Sequence, residues 1–162
     1  MAQVYDGLIR KAAGMLWPFS FNRHTVRIYV KDTGTSKGRG VYAAETIEPG
    51  EVIEECPVVQ VTTPFEDLPM EIRRLVFDWH DLAGMEGVAV LALGFGSLYN
   101  HANPANAHYK ASADGMFLNF IANERIEQDA EITVNYIDSS GSSAPDDNSW
   151  FNMAGIDPYE PE

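Results

Sequence analysis

The sequence predicts a mainly β fold, built as several small sheets with one short helix. Three observations lead there. Thirteen glycines and nine prolines in 162 residues are more than a helical bundle tolerates. Short runs with alternating apolar residues recur between turn-forming clusters. Only residues 67–81 carry a clear helical spacing. The length, with 45% hydrophobic residues, suits one compact domain with a real core and is too short for two.

In chain order, residues 1–24 form a leader of weak patterning that contains Trp17, Phe19 and Phe21. These aromatics are expected to fold back onto the body or to serve as a partner-binding arm. Residues 25–31 alternate, with Val26, Ile28 and Val30 on one face, and read as a strand. A loop rich in Gly, Ser and Thr follows over 32–40, then a short strand at 41–43. Pro49-Gly50 fits the middle of a type II turn spanning 48–51, and 52–53 and 58–62 read as two further strands.

Residues 67–81 are the predicted helix. Asp67 would cap its first turn, Pro69 is tolerated there, and Ile72, Leu75, Val76 and Trp79 fall on one apolar face. Residues 84–87 form a loop, and 88–93 return to the core. Next, Gly94 and Gly96 lead into Asn100, His101, Asn103 and Pro104. The glycines leave room for another backbone or a flat ligand. Asn100 and His101 offer donors and acceptors that suit an adenine-like ring. Taken by itself, this stretch reads as a turn. Residues 108–111 and 116–122 flank Ser112-Ala113-Asp114-Gly115 as a hairpin, and 131–136 form the last strand. Residues 138–149 are rich in Ser, Asp and Gly and are expected to be mobile. Trp150 and Phe151, beyond them, are expected to dock.

The formal net charge is −13, from 24 acidic and 11 basic residues. Direct nucleic-acid binding is disfavoured. Such acidity either attracts basic proteins or keeps the chain soluble. Cys56 is the single cysteine, which excludes an internal disulfide and a cysteine-based metal cluster. His24, His80 and His108 lack metal-ligand spacing, so no metal is expected. The apolar patch at 12–21 is broken by Pro18 and is no signal-peptide core, and no segment approaches membrane-spanning length. An intracellular location, cytosolic or nuclear, is expected.

Three segments together resemble the SET-domain protein-lysine methyltransferases. The first is Gly38-Arg39-Gly40-Val41-Tyr42-Ala43 with Ile47-Glu48-Pro49-Gly50-Glu51, similar to the family's opening Gly-x-Gly-Val strand and Pro-Gly-Glu turn. The second, 96–106, is similar to its Asn-His-Ser segment ending in Pro-Asn. The third, Ala122-Asn123-Glu124-Arg125-Ile126 with Glu131-Ile132-Thr133-Val134-Asn135-Tyr136, is similar to its closing Glu-(Leu/Ile)-Thr-x-x-Tyr. The resemblance covers about 26–151 and is nearest to the minimal viral and bacterial type, without cysteine-rich flanking modules.

This resemblance implies a SET fold with a knot-like C-terminal crossing, a leader at 1–24, the SET domain at 25–137 and a tail at 138–162. Independently of the resemblance, no membrane partner is expected, and the apolar region from Met85 to Phe95 offers a separate reading, a structural or dimerisation role as a homodimer. The resemblance implies methyl transfer from S-adenosylmethionine to lysine in a basic protein such as a histone. Gly38, Arg39, Gly40, Asn100, His101, Tyr136 and Trp150 would hold the cofactor. Tyr136 and Tyr99 would be catalytic, and both would line the lysine channel with Val134. Tyr99 reads equally as a core residue, and His101 has a purely structural alternative. Val134 stands where relatives often carry Phe or Tyr, leaving room for an already methylated amine.

Five departures bear on the channel. Ala102 replaces the usual Ser, and Pro104 comes one position early. Glu55-Cys56-Pro57-Val58 replaces a Tyr-x-Gly, and Leu75 stands near a channel tyrosine of relatives. Asn135, moreover, replaces a common acidic residue. They keep a second reading open: a catalytically weak SET-fold module that binds basic peptides.

Overall fold

The computed structural model describes residues 27–143 and Phe151; the leader, Trp150 and the rest of the tail lie outside these residues. Nine strands are formed among the described residues: β1 (Ile28–Asp32), β2 (Arg39–Ala43), β3 (Val52–Val61), β4 (Val76–Asp78), β5 (Ala89–Ala92), β6 (Asn100–His101), β7 (Ala107–Ala111), β8 (Phe117–Ala122) and β9 (Glu131–Val134). They make a four-stranded sheet, β1-β2-β9-β6, and a five-stranded one, β4-β5-β3-β8-β7. The fold is mainly β, as the sequence predicts. Every pair is antiparallel except β6 with β9. One apolar core joins the sheets, with Val41, Ile47, Trp79, Val90, Tyr99, Phe120, Ile132 and Val134 buried in it.

Local chemistry explains the turns. Gly50 has φ +82°, and the Glu51 N–H donates to the Glu48 carbonyl at 3.1 Å, as the Pro-Gly reading requires. At the β7–β8 hairpin the Gly115 N–H donates to the Ser112 carbonyl at 2.9 Å. The two strands expected at 52–53 and 58–62 are one, β3. It pairs with β8 through Pro57 and with β5 from Val58. Pro57 marks the handover, a place where a missing donor is tolerated.

The helix expected over 67–81 does not form as one element. A 3-10 turn (Phe65–Asp67), α1 (Met70–Arg73), β4 and α2 (Trp79–Ala83) divide the stretch, so there are two short α-helices where one was expected. Val76, Phe77 and Asp78 pair with Leu91, Val90 and Ala89 instead. An open edge on β5 satisfies their backbone, and tertiary pairing overrides the local period. The apparent apolar face is also split. Ile72 is exposed, Val76 joins a small cluster with Leu68 and Ala89, and Trp79 enters the main core. Asp67 caps no helix; Asp78 does, accepting from the His80 N–H at 2.8 Å. Gly84, with φ +70°, ends α2.

Gly94 and Gly96 are held close to neighbouring strands, Gly94 to β3 and Gly96 to both β3 and β5. A Cβ on Gly94 would run into the Glu54 carboxylate, and one on Gly96 would lie 2.6 Å from the Ala92 Cβ and 2.9 Å from the Cys56 Sγ.

The described part of the stretch expected to be mobile, 138–143, is tied down. The Ala105 N–H donates to Gly141 and the Tyr109 N–H to Ser139, at 3.0 and 3.1 Å. Gly141 has φ +74°, and a Cβ there would meet the Asn123 amide and lie 2.5 Å from the Ala107 carbonyl oxygen. Gly141→Ala combines left-handed strain with a backbone clash, so a loss of about 2–3 kcal/mol is expected in urea unfolding. Among the described residues, no helix is long and apolar enough to cross a membrane.

Candidate active site

The site is built where β6 and β9 run parallel, Asn100 opposite Thr133 and His101 opposite Val134. Asparagines fasten this crossing. Asn106 donates from Nδ2 to the Glu131 carbonyl at 2.9 Å and accepts from the Thr133 N–H at 2.8 Å. Asn100 Nδ2 donates to the Glu131 carboxylate at 2.7 Å and to the Arg39 carbonyl at 3.2 Å. The second bond draws in the glycine loop, 38–40. Gly40 must lack a side chain, since a Cβ would lie 2.9 Å from Asn100 Nδ2 and clash with Glu131. Gly38, with φ +74°, faces open space, and Lys37 Nζ donates to the His101 carbonyl at 3.3 Å. Residues 38–40 and 100–101, far apart in sequence, are therefore brought together.

His101 Nδ1 accepts from the Tyr136 N–H at 3.1 Å, which leaves its proton on Nε2. Its ring lies 5.0 Å from Phe151, edge-on at 81°, and 5.3 Å from Tyr136. Phe151 is buried, as expected of a docked aromatic; Trp150 lies outside the described residues.

Beside the crossing opens a cleft of about 610 Å³. Tyr99, Val134 and Tyr136, the three residues expected at a channel, all line it. The Tyr136 hydroxyl donates to the Tyr99 carbonyl at 2.5 Å. Tyr99 is held at its other end as well: its hydroxyl donates to Glu54 Oε2 at 3.1 Å, and its ring stacks on Phe120 at 4.2 Å. Tyr99 is both buried in the core and part of the cleft wall. Val134 is fully buried. Leu75 lines the cleft too, and Cys56 is buried in the core.

Sequence reasoning passed over several lining residues. Phe77 meets Tyr109 edge-on, 5.4 Å between centroids at 69°, and both face the cleft with Asp81 and Asp138. Phe77 was masked by the helical reading of its stretch. Tyr109 stood in a hairpin strand with no motif around it. Asn135, entirely buried, holds the wall formed by Ile137 and Asp138. It accepts from their N–H groups at 2.9 and 3.3 Å and donates to the Ser142 carbonyl at 2.9 Å and Asn103 Oδ1 at 3.4 Å.

Burial raises the hydroxyl pKa of Tyr99, Tyr109 and Tyr136 above the ordinary value of 10.0. Tyr109 is pushed up to about 12, by burial first and then by the charges of Asp138 and Asp81. The folded state keeps protons that the unfolded chain releases near pH 10. This contribution to stability is complete below that pH and is lost as pH rises toward 12 and beyond. The urea midpoint is expected to fall above pH 10, while absorbance at 295 nm shows these three tyrosines still protonated at pH 10.5 in the native protein.

Comparison with known proteins bears on this geometry. Residues 38–137 match the family described as the SET domain. A histone-lysine N-methyltransferase of Schizosaccharomyces pombe, H3 lysine-37 specific, is 29% identical over 109 residues, covering 67% of this chain and 72% of the relative. A Plasmodium falciparum crystal structure, provisionally assigned as a histone methyltransferase, is 28% identical with a TM-score of 0.55 and covers 68% of this chain and 92% of its own. The Chaetomium thermophilum polycomb repressive complex 2 bound to S-adenosylmethionine matches in fold at a TM-score of 0.54 and 22% identity. That match covers 70% of this chain and 15% of the longer one.

Proposed function

The chain belongs to the SET-domain family and is a protein-lysine N-methyltransferase, and from that premise we propose that it methylates the side-chain amine of lysine in a basic protein such as a histone, with S-adenosylmethionine as donor. One observation carries this reading: the aromatic cleft at Tyr99, Val134 and Tyr136 adjoins the crossing that gathers Gly38, Arg39, Gly40, Asn100 and His101.

These residues fit the donor's needs. The open space beside Gly38 leaves room for its amino-acid end. Backbone groups of Asn100 and His101 suit an adenine edge, and Phe151 against His101 adds an aromatic wall. When bound, S-adenosylmethionine supplies an electrophilic methyl group on a sulfonium cation. Tyr136, fixed through the Tyr99 carbonyl, orients the incoming amine. Phe77, Tyr109 and Val134 keep water from it, so alignment and desolvation do most of the chemical work. Desolvation, with a nearby positive charge, favours the neutral amine needed for attack.

The test is transfer of labelled methyl from S-adenosylmethionine to core histones and basic bacterial proteins, read by mass spectrometry on lysine. Label on lysine supports the proposal. Cofactor binding without label on any of them favours the second reading, a module that binds basic peptides, for which the departures at Ala102 and Cys56 speak. Because Val134 lacks the bulk of a Phe or Tyr in the cleft wall, product beyond monomethyl-lysine is expected. A spectrum that stops at one methyl, with enzyme in excess, would count against that assignment for Val134.

A further inference from the structure

Tyr109 is nine-tenths buried, yet its hydroxyl has no hydrogen-bond partner among the described residues, and the residue faces the cleft. Two carboxylates line the same cleft. Asp81 projects from α2 and is exposed, and Asp138 comes from the wall held by Asn135. The charges of both aspartates raise the pKa of the Tyr109 hydroxyl. The other charged residues lining the cleft are Asp78 and Arg74. Asp78 Oδ1 is engaged in capping α2, and Asp138 Oδ1 accepts from the Ser140 N–H at 2.8 Å, leaving Oδ2 for another donor. Three carboxylates thus face one guanidinium. Capture of the methylated amine by Tyr136 and Val134 uses neither Asp81 nor Asp138.

Resting on the methyl-transfer reading, we propose that Asp81, Tyr109 and Asp138 form a subsite for a second cationic side chain of the substrate, an arginine or lysine within two residues of the methylated lysine. The hydroxyl accepts an N–H, and the carboxylates supply charge-assisted acceptors for the rest of a guanidinium or ammonium group. The spacing follows from size. A cleft of about 610 Å³ spans on the order of 8 Å, and extended chain advances roughly 3.3 Å per residue.

The experiment uses fluorescent nonapeptides with a central lysine and otherwise neutral residues, carrying arginine at −2, −1, +1 or +2. Each is paired with its citrulline counterpart. Binding is read by anisotropy and transfer by mass spectrometry. At one position the arginine peptide is expected to bind and react roughly 10- to 100-fold better, the scale of a hydrogen bond to a charged group. That preference should drop below about threefold in Asp81→Asn/Asp138→Asn, whose fold is checked by thermal melting, and weaken in Tyr109→Phe.

Equal binding of arginine and citrulline peptides at all four positions overturns the subsite, as does a preference that survives the double variant or binding of neither peptide. Charge-selective binding lost in the double variant, but without transfer, leaves the subsite standing and counts against methyl transfer alone.

Discussion

Tyr136→Phe is expected to lower the single-turnover rate of methyl transfer about 100-fold, the scale of losing one preorganised polar group at a reacting centre. The substitution removes the hydroxyl and its 2.5 Å bond to the Tyr99 carbonyl. It keeps the ring and the main-chain N–H that donates to His101 Nδ1. The crossing should therefore persist, with cofactor affinity changed by less than about threefold. Stability should fall by about 1–2 kcal/mol, because the Tyr99 carbonyl is left without its donor in a buried setting. Rapid-quench transfer, calorimetric titration of the cofactor and urea unfolding separate these effects. A normal rate with a lowered urea midpoint would make Tyr136 a purely structural residue.

Asn135→Asp is expected to cost more stability than any other single exchange of one polar side chain for another considered above, about 3–5 kcal/mol. The wild-type amide accepts two bonds and donates two in a fully buried position. Aspartate keeps both acceptors but loses both donors, and its charge would face the Ser142 carbonyl and Asn103 Oδ1. Burial beside those oxygens raises the new carboxyl's pKa in the folded state. Its neutral form is then tolerated at low pH, and the deficit grows as pH rises past the unfolded value. Urea unfolding at pH 5 and pH 8 should show the larger loss at pH 8. Because Ile137 and Asp138 hang from this amide, the cleft wall should loosen and transfer should fall as well. The departure at Asn135 fastens the cleft wall through its bonds to Ile137, Asp138 and Ser142.

Much of the fold was legible because its signals are local. Alternation marked β1, the turn cluster at 112–115 marked the β7–β8 hairpin, the pair Pro49-Gly50 marked a second turn, and 131–136 read as the last strand, β9. The glycine loop, Asn100-His101 and Tyr136 were found through motif order, since close backbone approach and a fixed crossing demand particular residues at particular places. The stretch 67–81 was misread because a helical period arose by coincidence. Whether Val76 and Phe77 coil or pair depends on an open edge of β5, contributed from a dozen residues away. Gly94 and Gly96 were glycine for a reason, but the reason lay in Glu54 and Cys56 on another strand. Tyr109 and Phe77 come from the two edge strands of the five-stranded sheet, Asp81 from α2 and Asp138 from beyond β9; none carries a motif, and only the tertiary fold brings them to one cleft. The chain's own order determined its class, its turns and the residues at the crossing. Only tertiary packing decided which aromatics and carboxylates share the cleft, because their proximity is a property of long-range pairing and not of local sequence.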